Sequence, residues 1–179
     1  MDLRSRLLQR LEMEDINEII SSAQKDEKVK LELYKLAFDS EDKLSVNSLW
    51  IMTHYSATTN KWLYSRQNEL IDKVLVSENS SQKRLLLSLI YKQPLADPIR
   101  VDFLDFCLAG MTSLKEPPAT IVMCMKLAYE MCRTIPELLQ EYQVALEMLE
   151  PSLLSTWTGI IRKRIQKAIP TGKSLQVIK

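Results

Sequence analysis

Apolar residues recur along this chain at intervals of three and four positions, with polar residues between them. This spacing places the apolar side chains on one face of an α-helix. The segment from residue 119 to 132 is apolar on most sides, so we expect it to be a buried helix. The pattern predicts helices over residues 3–12, 14–23, 27–38, 41–55, 58–76, 81–92, 98–114, 119–132, 136–149 and 153–169.

Short polar residues and prolines mark the predicted helix ends. Asn79 or Ser80 is the expected N-cap of the helix that follows, because a short side-chain oxygen accepts hydrogen bonds from unpaired backbone N–H groups. Thr134 is the expected cap before Pro136. Pro98 and Pro136 fall in the first turn of their predicted helices, where the missing N–H costs nothing.

The predicted helices repeat with a regular period. Equivalent helices begin near residues 41, 79, 117 and 152, which is a period of about 35 to 38 residues with two helices in each. Such self-similarity is typical of an α-solenoid, in which neighbouring helix pairs bury one another's apolar faces. We therefore predict an all-α fold, a right-handed α-α superhelix of about four antiparallel helix pairs.

The composition supports a helical domain of ordinary size. Only 3 of the 179 residues are Gly, whereas turn-rich β folds and phosphate-binding loops need Gly for positive φ. Apolar residues make up 46% of the chain and charged residues 26%, as in an average globular protein. We expect a single domain over residues 1–170, beginning with an amphipathic helix at 1–12, and a flexible C-terminal tail over 171–179.

Charge and cysteine usage narrow the expected partners and compartment. The 24 basic and 23 acidic residues give a net charge of +1, so no global field selects a polyanion or a membrane. The longest charge-free run, residues 44–60, is 17 residues long and too polar to span a bilayer, and the charged N-terminus is unlike a signal peptide. Cys107, Cys124 and Cys132 lack the spacing of a disulfide framework, which favours a reducing compartment. We predict a cytoplasmic protein without a membrane partner.

Several short motifs between residues 44 and 168 carry a family resemblance. They lie at residues 48–50 (Ser-Leu-Trp), 54–55, 83–90, 102–107, 126–129, 136–138 and 162–164. Together they resemble small bacterial HEAT-like proteins, which are ARM/HEAT-type α-solenoids. The resemblance implies a HEAT-like stack and carries no activity, although the chain lacks the regular Asp and Arg of the general HEAT pattern.

Some members of that group are labelled adenylosuccinate lyases, and the residues of this chain argue against that activity. A lyase of that family is far longer and carries a mobile Gly-Ser-Ser-x-Met-Pro-x-Lys loop and catalytic histidines. This chain has no such loop and a single histidine, His54. We therefore predict that the protein is not an enzyme.

The candidate chemistry around His54 has a structural interpretation. A general base needs a nucleophile and an orienting carboxylate, but no carboxylate occurs between Asp42 and Glu69. We interpret His54 as a polar member of an aromatic cluster between helices, together with Trp50, Tyr55, Trp62 and Tyr64. One histidine and three cysteines spaced 17 and 8 residues apart do not form a metal-binding pattern, so no metal and no cofactor are expected.

The C-terminal region separates opposite charges. Residues 136–150 contain Glu137, Glu141, Glu147 and Glu150 but no Lys or Arg. After Glu150 the chain has no acidic residue and a local charge of +6. The basic helix has two interpretations, a polar outer face that caps the stack or a patch that binds phosphates or an acidic partner.

Solenoid geometry suggests where a partner binds. Second helices line the concave side of such a stack, which would draw the binding surface from residues 58–76, 97–111 and 136–149. The candidate partner-binding residues are the polar side chains expected there and the basic side chains of the last helix, namely Arg66, Arg100, Asp105, Gln140, Gln143, Arg162, Lys163, Arg164 and Lys167. We predict a scaffold or adaptor that binds a protein partner. The alternative is a nucleic-acid-binding HEAT-like protein that uses the basic C-terminal helix.

Overall fold

The computed structural model describes residues 2–178. Every regular element in this part of the chain is a helix, so the all-α prediction is confirmed. The chain divides into two compact units, Met1–Leu89 and Ile90–Lys179. The two units are called unit 1 and unit 2 below, and each is described by itself.

Unit 1 contains a series of helices around an aliphatic core. They are α1 (Leu3–Leu7), α2 (Met13–Lys25), α3 (Glu27–Leu36), α4 (Asp42–Thr53), α5 (Ala57–Asn60), a 3₁₀ helix (Lys61–Arg66), α6 (Gln67–Val76) and most of α7 (Ser80–Tyr91). Leu7, Ile16, Leu33 and Leu49 are fully buried. Neighbouring helices pack on one another in this unit, because each buries one apolar face and leaves its polar face to solvent.

Side-chain caps begin several of these helices. The Asn79 side-chain oxygen accepts hydrogen bonds from the backbone N–H groups of Ser81 and Gln82, at 2.9 and 3.1 Å. The predicted cap at Asn79 is therefore confirmed. Asp26 caps α3 in the same way, through the backbone N–H of Lys28 at 2.8 Å.

Two predicted helices of unit 1 have different bounds in the structure. The helix predicted over 3–12 ends at Leu7, and Glu12 has extended backbone angles and serves as the N-cap of α2. The segment predicted as one helix over 58–76 is α5, a 3₁₀ helix and α6 in succession. In the 3₁₀ helix the Arg66 side chain donates to the Trp62 carbonyl at 3.1 Å, an acceptor that an α-helix pairs with a backbone N–H.

Unit 2 is arranged around one buried helix. Its elements are α8 (Val101–Thr112), α9 (Pro118–Cys132), α10 (Pro136–Glu147), a 3₁₀ helix (Pro151–Leu153), α11 (Thr156–Ala168) and a second 3₁₀ helix (Ile169–Thr171). Helix α9 packs against α8, α10 and α11, and 11 of its 15 residues are buried. The prediction that the segment 119–132 is a buried helix is confirmed.

Two predicted helix starts in unit 2 are wrong by a few residues, and one predicted cap is wrong by one residue. Pro98 lies outside α8, which begins at Val101 after Arg100 as the N-cap residue. Ile135, not Thr134, is the N-cap residue of α10, because its extended backbone directly precedes Pro136. Helix α11 begins at Thr156 and not at residue 153, because the Ser155 hydroxyl accepts from the Thr158 N–H at 3.2 Å and so caps the helix there.

The C-terminal segment, residues 172–178, is tied to α9. Glu130 is buried, and its carboxylate accepts hydrogen bonds from the Arg133 side chain at 2.8 Å, from the Ser174 hydroxyl at 2.9 Å and from the Leu175 backbone N–H at 2.6 Å. The Gln176 amide donates to the Tyr91 and Gln93 carbonyls at 2.8 and 2.9 Å. The predicted tail therefore lies against the helices of unit 2, and its flexibility stays a prediction.

Replacing Glu130 with Ala tests this attachment. We expect a loss of about 1–3 kcal/mol in the free energy of unfolding, because the partly buried donors that Glu130 satisfies lose their acceptor. Urea denaturation measures the loss, and Glu137→Ala at an exposed position is the control, with an expected change within about 0.5 kcal/mol. The Leu175 amide should also exchange faster with solvent in Glu130→Ala. Unchanged exchange at Leu175 would contradict the hydrogen bond to Glu130.

The close packing of α8 on α9 gives a second prediction. A Cβ atom added at Gly110 would lie 2.7 Å from the Cys124 Sγ, and Cys124 is fully buried. We expect Gly110→Ala to destabilise the protein by about 1–3 kcal/mol, because overpacking outweighs the better helix propensity of Ala. The change should be smaller in a Cys124→Ala background, which removes the sulfur.

The matched control for that prediction is Gly159→Ala. An added Cβ at Gly159 meets no atom within 4 Å, so we expect this variant to be more stable by about 0.5–1 kcal/mol. Thermal and urea unfolding of all four variants complete the measurement. Equal stability of Gly110→Ala and Gly159→Ala would show that the contact with Cys124 does not constrain the packing.

Candidate interaction surface

An apolar groove lies on unit 2 between α8, α10 and the loop that follows α10. Its volume is about 480 Å³, and its apolar lining residues are Leu108, Ala109, Leu114, Ala145, Met148, Leu149, Leu153 and Leu154. Three of them are unusually exposed for large apolar side chains: Leu114 at 70%, Met148 at 78% and Leu153 at 61%. Contiguous exposed apolar residues of this kind mark interaction sites in soluble proteins. We call this surface the α8–α10 groove.

The groove follows from the way in which α9 holds its neighbours. Helices α8 and α10 both pack on α9 and also contact each other. The hydroxyl group of the buried Tyr142 of α10 donates a hydrogen bond to the Met125 carbonyl of α9 at 3.0 Å. Small residues line the groove on both helices, Ala109 on α8 and Ala145 on α10, and they leave space between the larger side chains.

The edge of the groove is acidic. Glu141 and Glu150 line it, and residues 136–150 include no Lys or Arg. Burial raises the pKa of the Cys132 thiol to about 12, and the negative charge of Glu141 adds to this shift. The α8–α10 groove therefore combines an apolar floor with a negative edge, which suits an apolar segment that carries positive charges.

The predicted partner-binding residues of α8 and α10 lie outside the lining of the groove. Asp105, Gln140 and Gln143 are exposed or half-buried on these two helices. The Arg100 guanidinium pairs with the Asp102 carboxylate at 2.5 Å, and this hydrogen-bonded pair lowers the pKa of Asp102. Arg100 therefore helps to begin α8.

Arg66, the predicted binding residue of unit 1, is engaged in an aromatic cluster. Its guanidinium lies 3.6 Å from the centroid of the Trp62 ring and 5.6 Å from that of Tyr34. The Tyr34 hydroxyl donates to Glu69 at 2.9 Å, and burial together with this carboxylate raises the pKa of Tyr34. The cation–π contact gives Arg66 a structural role.

The four predicted basic residues of α11 divide into two kinds. The Arg162 side chain is half-buried and donates to the Leu146 carbonyl of α10 at 3.2 Å, so it joins two helices. Lys163, Arg164 and Lys167 are exposed. Of these, Arg164 also lines a second cavity, which is described below.

His54 contacts Trp50, one ring of the predicted aromatic cluster, but it lies at the surface. It is exposed at the end of α4, and its Nδ1 donates to the Trp50 carbonyl at 2.9 Å. Its ring contacts that of Trp50 with centroids 5.7 Å apart. Trp62 instead packs edge-on against Tyr34, because its indole N–H donates to Glu27 on α3.

The three cysteines lie in the interior of unit 2. Cys107, Cys124 and Cys132 are buried free thiols. Within residues 2–178, the structure contains no group of three or more His, Cys, Asp or Glu side chains arranged to hold a metal ion. No helix in that range is both long enough and apolar enough to cross a membrane.

Sequence reasoning missed the residues that line the groove. Leu153 is the first residue of the helix predicted over 153–169, but it is exposed in the 3₁₀ helix before α11. Met148 lies off the apolar stripe of α10, which runs through Tyr142, Leu146 and Leu149. A large apolar residue outside the stripe was the available signal for an exposed apolar surface.

The fold places this chain among helical-repeat proteins. It is all-helical over the described residues, and neighbouring helices pack in succession within each unit. Residues 3–169 match the HEAT repeat domain, and the chain belongs to this family. A search of curated proteins and a search of solved structures gave no significant match.

Proposed function

We propose that this protein is a non-enzymatic helical-repeat scaffold or adaptor of the cytoplasm, and that its α8–α10 groove binds a protein partner. The observation that carries the proposal is the exposure of Leu114, Met148 and Leu153 around one groove. Such exposure is unfavourable in water, and a partner that covers these side chains removes the cost. Membership of the HEAT repeat family supports the proposal, because helical repeats present extended surfaces to partners.

The chemistry of the groove indicates the kind of partner segment. An amphipathic helix binds an apolar groove through side chains one turn apart on one face. The acidic edge at Glu141 and Glu150 favours Lys or Arg beside those apolar side chains. We therefore propose a basic amphipathic helix as the ligand of the groove. Gln140, Gln143 and Asp105, on the two helices that form it, are proposed to contact the flanks of that helix.

Nucleic acid binding through α11 is the alternative proposal. The exposed Lys163, Arg164 and Lys167 favour it, because positive side chains on one helix contact phosphates without reading sequence. Its affinity would fall steeply with added salt, since phosphate contacts release counterions. The four glutamates of residues 136–150 in the same unit oppose it, as they repel a polyanion.

A charge-introducing variant of the groove tests the preferred proposal. We expect Leu114→Lys/Met148→Lys to lose the partner, because it places charge on the apolar floor and repels a basic segment. Both side chains are exposed, so the stability of the protein should change by no more than about 0.5 kcal/mol. The matched control is Val76→Lys, which replaces an exposed apolar residue at the end of α6 in unit 1.

The measurement is affinity capture of each tagged protein from its native extract, with and without nuclease, followed by mass spectrometry. A protein recovered in near-stoichiometric amount by the wild type and by Val76→Lys, but not by the groove variant, is the expected outcome. Cross-links from the partner to α10 should locate the contact. Equal recovery by all three proteins would refute the groove as the binding site, and recovery that depends on nucleic acid would favour the alternative.

A further inference from the structure

A second cavity of unit 2 collects three positive side chains. It has a volume of about 280 Å³ and lies between the end of α7, helices α9 and α11, and the C-terminal segment. Of its seven lining residues, three are cationic, namely Lys92, Lys126 and Arg164, and none is acidic. The rest of the lining is apolar or aromatic and includes Tyr91, Ile161 and Leu175. We call it the cationic cavity.

Two of the three positive groups, Lys126 and Arg164, are close enough for one to affect the other. Burial lowers the pKa of Lys126, and the positive charge of Arg164 lowers it further. Burial also lowers the pKa of Lys92. The Lys126 ammonium lies 5.3 Å from the centroid of the Tyr91 ring. The like charges of Lys126 and Arg164 repel each other in this partly desolvated cavity, and a bound anion would relieve this repulsion.

A neighbouring carboxylate is already engaged elsewhere. Glu130 lies one helical turn beyond Lys126 on α9, and its charge contributes to the raised pKa of Tyr91. Its two oxygens accept hydrogen bonds from Arg133, Ser174 and the Leu175 N–H. Glu130 thus holds the C-terminal segment in place and is not among the residues that line the cavity.

We propose that the cationic cavity binds the phosphate group of a small phosphomonoester, with Lys92, Lys126 and Arg164 as its ligands. A phosphomonoester is close to a dianion at neutral pH and has three acceptor oxygens. Lysine and arginine are the side chains that bind such oxygens most strongly in proteins. The enclosing helices and the C-terminal segment limit the ligand to a small molecule, and Tyr91 and Ile161 provide apolar contacts for its organic part.

The same charges suit a small ligand better than a nucleic acid strand. A strand needs a continuous basic groove that follows its backbone, whereas these cations surround a single cavity. The site is separate from the α8–α10 groove, since the two share no lining residue. Failure of either proposal therefore leaves the other intact.

Isothermal titration calorimetry of the full chain with phenyl phosphate, in about 0.1 M salt to screen non-specific attraction, tests this site. We expect saturable binding with one site per chain, and weaker binding of inorganic phosphate, which lacks the organic part. Lys126→Met and Arg164→Met should each weaken the binding of phenyl phosphate by about tenfold or more, because each removes a charge-assisted hydrogen bond. Lys126→Arg should retain most of it.

The matched control is Lys163→Met, on α11 beside Arg164 but outside the lining of the cavity. It should bind phenyl phosphate as the wild type does. The backbone amide signals in the NMR spectrum of each variant establish that the variant is folded. Three results would overturn the proposal. They are no saturable binding to the wild type, unchanged binding in folded Lys126→Met and Arg164→Met, or an equal loss in Lys163→Met, which would indicate a diffuse charge effect.

Discussion

The burial of α9 is the constraint on which the rest of unit 2 depends. This helix contacts α8, α10 and α11, and most of its surface is apolar and buried. Its neighbours must therefore fit closely. For example, a Cβ atom added at Gly110 would lie only 2.7 Å from the Cys124 sulfur. Close packing of this kind fixes where helices lie, because volume changes of even one methyl group are resisted.

The few polar groups on α9 determine how the outer segments attach. The Met125 carbonyl accepts the hydrogen bond of Tyr142, which positions α10 beside α8 and so forms one wall of the groove. Glu130 and Tyr129 hold the C-terminal segment, through Ser174, Leu175 and the Lys173 carbonyl. Polar groups that are buried must find partners, so these few contacts have definite geometry. Both proposed sites are thus built on the same central helix.

The sequence predicted which segments are helical more accurately than it predicted the residues at which the helices begin and end. Regular apolar spacing identified α9 and α10, because that spacing depends only on helical periodicity. Helix caps could be predicted where a side chain accepts a hydrogen bond from a nearby backbone N–H group, as Asn79 does from Ser81. The break within residues 58–76 could not be predicted from the sequence. It coincides with contacts that Arg66 and Trp62 make with Tyr34, which lies on another helix.

The amino-acid sequence was enough to predict an all-helical fold of the repeat type, since the apolar period, the helix caps and the scarcity of Gly are local properties of the chain. Which surface residues lie together depends on the packing of the helices. Lys92, Lys126 and Arg164 are far apart in sequence and line one cavity because α9 packs on α11 and the end of α7 lies beside them. Likewise, Leu114 and Met148 meet at a groove because α8 and α10 both pack on α9. Such convergence depends on long-range packing, which the periodicity of a single helix does not record.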